Sequence, residues 1–150
     1  MSKNLRRNAF TLIEVLIVVI IMAVLAATII PQFASSTTDA QNSSLNFSVH
    51  TMRSQIELYK AQHLGNYPTL AKFVDQMTKP TNASGGATGD TPYGPYVIDE
   101  IPKNPFNNDN TLVAVAAAGE KPTAIVAGGA GWQYDETTGA IWPNNTEAYP

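Results

Sequence analysis

The side chain whose chemistry fits its surroundings least is Glu14, a carboxylate inside an otherwise unbroken apolar run. Elsewhere the inventory for catalysis is thin. The two histidines, His50 and His63, both fall on one long helical pattern. His63 follows Tyr59 by four residues on its apolar stripe, the position of a packed or helix-terminal histidine rather than of a base or ligand. No Ser/His/Asp set, phosphate-cradling glycine loop or H-E-x-x-H helix is present. Gly128-Gly129-Ala130-Gly131 lacks the strand-then-helix context of a nucleotide loop and reads as a flexible connector. Trp132 and Trp142 have the shape of a sugar-stacking pair, but hairpin aromatics more often cover a core. These residues point away from an enzyme.

Charge and composition narrow the classes further. A chain of 150 residues has room for one core and an appendage. The net charge is -3. Without Lys3, Arg6 and Arg7, six basic residues face twelve acidic ones, a net of -6 and no footprint for nucleic acid. Cysteine is absent, which excludes a disulfide framework, a lipoprotein anchor and a thiolate metal site. An exported domain of this kind holds together by packing, or by a hard cation such as calcium.

Glu14 must be read with the element that carries it. Leu12 to Ile30 is apolar for about the 20 residues a helix needs to cross a bilayer core, and no charge occurs between Glu14 and Asp39. Lys3, Arg6 and Arg7 lie just upstream, so the positive-inside rule puts Met1 in the cytoplasm and the rest outside. Three readings fit the segment. One is a secretory signal peptide cut after Val24-Leu25-Ala26, which would release a soluble binding module. Another is a plain single-span anchor. The third gives Glu14 a partner, because a carboxylate there costs about 2.5–3.5 kcal/mol at mid-membrane and less near the edge, a cost neither other reading needs.

Ala9-Phe10-Thr11-Leu12-Ile13-Glu14-Val15 behind a short basic leader resembles the processing site of type IV pilins and type II secretion pseudopilins. The resemblance implies cleavage by a prepilin peptidase between Ala9 and Phe10 and N-methylation of Phe10. It also implies a helix-bending proline at Pro31, and an assembly register in which Glu14 meets the new amine of a neighbouring subunit. Ala9 stands where the family usually has glycine, and a small residue still fits such a site. The implied partners are further copies of the chain, other pseudopilins, the peptidase, an inner-membrane assembly platform and an ATPase. The implied location is the bacterial inner membrane, with the C-terminal part periplasmic, and then a filament. Within the family the alternative is a pilus subunit for adhesion, motility or DNA uptake. The lack of cysteine favours secretion, since many major pilins close their C-terminal region with a disulfide.

Beyond Pro31, which should kink the helix or interrupt it for a turn, Leu45, Val49, Met52, Ile56 and Tyr59 recur at steps of four and three. They predict an amphipathic helix with an Arg53–Glu57 pair on another face, stopping near Leu64-Gly65. Thr69 is expected to cap a short helix carrying Leu70, Phe73, Val74 and Met77. Strands are expected at residues 96–98, 111–116, 123–127, 131–135 and 140–142, the last two forming a hairpin across Glu136-Thr137-Thr138-Gly139. The predicted fold is α+β: a long spine helix, its first half transmembrane, packed against a small antiparallel sheet. The divisions are a leader at 1–9, an assembly segment at 10–31, the amphipathic half at 32–65 and a globular region at 66–150.

Gly65-Asn66-Tyr67-Pro68-Thr69, Gly94-Pro95-Tyr96-Val97 and Ile101-Pro102-Lys103-Asn104-Pro105-Phe106 resemble the major pseudopilin of type II secretion in particular. That resemblance implies an acidic calcium-binding loop near the C-terminus, which has no counterpart between Ala116 and Trp132. The nearest oxygen donors are Asn107, Asp109, Asp135 and Glu136, which read either as a site for a hard cation or as solvated turns.

Overall fold

The computed structural model of the chain describes residues 10–87 and 89–145. Its backbone divides into two units, one ending at Asp39 and one beginning at Ala40. Helix α1, Leu12–Gln62, contributes to both. It continues through Pro31, so the missing N–H does not interrupt it.

In the first unit, Leu12–Ile30 is apolar on every face of the helix apart from Glu14 near its start. The large apolar side chains from Phe10 to Phe33 are 47–85% exposed, and Leu12–Ile30 is long and apolar enough to cross a membrane. Exposure on that scale in water would be unfavourable. The leader residues Lys3, Arg6, Arg7 and Ala9 lie outside the described residues.

The second unit is built on the predicted stripe. Leu45, Val49, Met52, Ile56 and Tyr59 are all buried, and they meet Phe73, Met77, Tyr96, Ile101, Trp132, Tyr134 and Ile141 in one core. Each such side chain contributes about 1.5–3 kcal/mol by leaving water. The helix stops as its sequence suggests. Leu64 and Gly65 take φ of +57° and +82°, and the Gly65 N–H returns to the Lys60 carbonyl at 3.0 Å. His63, one residue past α1, is buried and stacked on Tyr59 with ring centroids 3.7 Å apart. Its Nδ1 donates to the Tyr59 carbonyl and its Nε2 lies 2.9 Å from the Thr81 hydroxyl. His50 is exposed.

Two local expectations fail for identifiable reasons. Arg53 does not pair with Glu57; its guanidinium donates to the Ile141 carbonyl at 3.0 and 3.3 Å, tying α1 to the sheet. Glu57 instead accepts from the Tyr67 hydroxyl and lies 3.9 Å from Lys60. The short helical stretch, a 3-10 turn at Leu70–Lys72 followed by α2 at Phe73–Thr78, is not capped by the Thr69 side chain. Gln76 accepts the Thr69 N–H and Glu136 the Leu70 N–H, at 2.9 and 2.8 Å.

The sheet has three strands, β1 (Leu112–Ala114), β2 (Trp132–Asp135) and β3 (Ala140–Pro143), in that order. β2 and β3 form the predicted antiparallel hairpin, with Trp132 opposite Pro143 and Asp135 opposite Ala140. Gly139 in its turn has φ +71°, and a Cβ there would run into the Tyr67 ring. β1, however, pairs with β2 in parallel, Leu112 opposite Trp132. The sheet is therefore mixed, not antiparallel. Residues 115–131 supply the dozen or more residues that a parallel return requires. Residues 96–98 and 123–127 are not strands. The Tyr96 and Val97 N–H groups both donate to the Met77 carbonyl, and Val126 is held by a side chain, Asn144.

Candidate assembly site

Thr11 is the residue before the first turn of α1, and Glu14 is the third residue of the helix. The Thr11 N–H and hydroxyl both donate to Glu14 Oε2 at 2.9 Å, and the Glu14 N–H returns to Thr11 Oγ1 at 3.3 Å. This is a reciprocal capping box. It satisfies backbone donors that a helix start would otherwise leave bare in an apolar layer. Phe10, Val15, Ile17, Val18 and Val19 line an open apolar concavity beside the carboxylate. Sequence reasoning singled out Glu14 for its charge and overlooked Thr11. The T-x-x-E spacing ahead of an apolar run was the available signal.

The oxygen donors considered for a cation do not assemble into one. Asp109 Oδ1 accepts the Thr111 N–H at 2.7 Å, the Thr111 hydroxyl at 2.5 Å and the Gly131 N–H at 3.1 Å. Asn107 Nδ2 donates to the Gly129 and Ala130 carbonyls. Glu136 is committed to Leu70. Both Asp135 oxygens are occupied: Oδ1 by the Thr137 N–H and hydroxyl, Oδ2 by the Gly119 N–H and the Thr138 hydroxyl. Among the described residues no group of three or more His, Cys, Asp or Glu side chains is placed to hold a metal. A calcium ion needs six to eight oxygen ligands. The donors present do not fit it.

Burial opposes ionisation of Asp135, but the Thr137, Gly119 and Thr138 donors outweigh it and hold the carboxyl well below the usual carboxylate range. A depressed folded-state value means stability that is present above the unfolded value, near 3.9, and lost as pH falls below it. Asp135→Asn is expected to cost roughly 2 kcal/mol at neutral pH. It should also flatten the loss of stability that the wild type shows below about pH 4. Thermal melts of the detergent-solubilised chain across that range test this; an unchanged pH profile in the variant would assign the acid sensitivity elsewhere.

Trp132 and Trp142 are both buried, which leaves no exposed stacking platform on the hairpin. Its donors and apolar surface serve the fold. A long apolar helix that starts on a satisfied carboxylate and ends in the core of a small α+β unit defines the pilin-like class of structural subunits.

Comparison with known proteins makes this specific. Residues 4–30 match the prokaryotic N-terminal methylation motif, and residues 32–140 match type II secretion system (T2SS) protein G. The chain belongs to the type II secretion system protein G family, the major pseudopilins, which are structural subunits and not enzymes. It is 29% identical over 143 residues to the type II secretion system core protein G of Vibrio cholerae, covering 93% of this chain and 92% of that one. It is 24% identical to the Klebsiella pneumoniae core protein G, over 77% of this chain and 80% of the relative. The Escherichia coli counterpart is 23% identical, over 72% of each. No solved structure matches the chain.

Proposed function

We propose that the chain is a polymerising subunit of a type II secretion pseudopilus. It is inserted with Met1 in the cytoplasm, cut between Ala9 and Phe10, and methylated on the new Phe10 amine. It then assembles with copies of itself and with other pseudopilins. The division into a leader at 1–9, an assembly segment at 10–31, an amphipathic half at 32–65 and a periplasmic region at 66–150 follows from that sequence of events. The prepilin peptidase acts first. An inner-membrane platform and its ATPase then extract subunits from the membrane, and the growing periplasmic filament drives protein export.

The observation that carries this reading is the single carboxylate of the apolar stretch, Glu14, standing one helical turn from Phe10. Once Phe10 is a free amine, amine and carboxylate of neighbouring subunits can pair. That interaction depends on subunit height, and so fixes axial register more than it adds net stability. Pro31 closes the assembly segment, and its ring removes one backbone donor from the helix at that point.

N-terminal sequencing and mass spectrometry of the membrane-extracted protein test the processing step. The expected first residue is Phe10, heavier by one methyl group. A mature chain beginning at Ala27 would have lost Glu14 and would overturn the proposal.

A further inference from the structure

We infer that residues 115–131, the crossover between β1 and β2, are closed by side-chain amides and Asp135 in place of a structural metal, so that this subunit folds independently of calcium. The inference concerns the domain alone and stands whether or not the chain polymerises.

The segment is long, mostly small and apolar, and holds one acid and one base, the adjacent Glu120 and Lys121. It has no strand or helix of its own. Its backbone groups are nonetheless engaged at intervals by side chains from outside it. Asn144, buried just past β3, works in both directions. Its Oδ1 accepts the Val126 N–H at 2.8 Å, and its Nδ2 donates to the Val126 and Ala130 carbonyls at 3.0 and 2.9 Å. Gln133, buried in the middle of β2, donates to the Ala124 carbonyl and to Asn144 Oδ1, both at 3.0 Å. Asp135 takes the Gly119 N–H at 2.6 Å. Asn107 holds the far end through the Gly129 and Ala130 carbonyls.

The polarity of this clamp is what separates it from a cation site. Calcium is held by oxygens converging on one point. Here the carbonyls of Ala124, Val126 and Ala130 converge on amide N–H groups, whose partial positive charge occupies the place a cation would need. Of the carboxylates that bond to the segment, Asp135 has both oxygens taken by protein donors, and Asp109 Oδ1 accepts from Gly131 and Thr111. The amides thus do for a neutral loop what a metal does for an acidic one: they neutralise inward-facing carbonyls and fix the return to β2.

Two measurements on the full-length protein in detergent decide the matter. Thermal unfolding is followed in chelator and in calcium well above the roughly millimolar dissociation constants of extracellular calcium modules. The expected midpoints agree to within about 1 °C; a rise of roughly 5 °C or more in calcium would overturn the inference. Hydrogen exchange is then compared for wild type and Asn144→Ala. Peptides spanning 119–131 are expected to lose protection about tenfold or more, with no recovery on adding calcium. Unchanged protection, or its restoration by calcium, would overturn it. If Asn144→Ala does not fold, Asn144→Ser, which puts one shorter hydroxyl in place of the amide, is expected to show an intermediate loss of protection under the same reading.

Discussion

Replacing Glu14 by leucine is expected to leave the chain in the membrane fraction and to weaken subunit addition by roughly tenfold or more, about 1.4 kcal/mol, so that few sheared filaments are recovered. Insertion should not suffer, because removing a carboxylate from Leu12–Ile30 makes the segment more apolar. The local cost is the lost capping box, about 1 kcal/mol at a helix start. Assembly loses more. A unit-charge pair at about 4 Å and an effective dielectric near 20 has roughly 4 kcal/mol of Coulomb attraction, set against the desolvation of both groups. The capping geometry calls for a second variant. Glu14→Gln retains an oxygen for the Thr11 N–H and hydroxyl but carries no charge. If charge sets the register, Gln should be as defective as Leu. If Gln assembles like wild type, the cap matters and the proposed pairing with the Phe10 amine is wrong. Electron microscopy of sheared material, with membrane fractionation alongside, reads both.

The reasons some features were legible in the sequence, and others were not, are physical. The stripe from Leu45 to Tyr59 could be read because helical periodicity is local: every residue that the spacing placed on one face is buried. The β2–β3 hairpin was legible for the same reason, its turn lying between two short apolar runs. Gly65 marked the helix stop through its own backbone freedom. The failures involve partners far away in the chain. Residues 123–127 have the composition of a strand, yet their hydrogen bonds go to Asn144 and Gln133, a pairing no local pattern encodes. The direction of β1 depends on how 115–131 travels, which periodicity does not specify. Arg53 abandons its helical neighbour for a carbonyl 88 residues on. At the candidate assembly site, Glu14 stood out by its charge, whereas Thr11 stood within the processing motif and was given no role of its own. Asp109 and Asp135 were read either as oxygen ligands for a cation or as turn residues, and the hydrogen bonds decide for the turn. Each has a threonine two positions on, the spacing of a turn held by an aspartate side chain, and that is the role they take.

Trp132→Ala is expected to be the most damaging single truncation in the second unit. Trp132 opens β2, facing Leu112 across the parallel ladder and Pro143 across the antiparallel one, so its side chain sits where all three strands meet. It is fully buried in the core that closes on α1, and its Nε1–H donates to the Pro102 carbonyl at 2.8 Å. Truncating a buried tryptophan costs about 3–5 kcal/mol in lost transfer energy and cavity formation, and an unpaired Pro102 carbonyl adds to that. Against a total stability on the order of 5–15 kcal/mol, that is a large fraction, and the melting midpoint should fall by roughly 15 °C or more. Trp132→Phe separates the contributions. It keeps most of the volume and loses the hydrogen bond, so it should recover more than half of the deficit. Melts of the detergent-solubilised full-length chain provide the measurement. An alanine variant within a few degrees of wild type would mean that the core can collapse around the gap. The packing of β1, β2 and β3 against the stripe of α1 would then be looser than the complete burial of Trp132 requires.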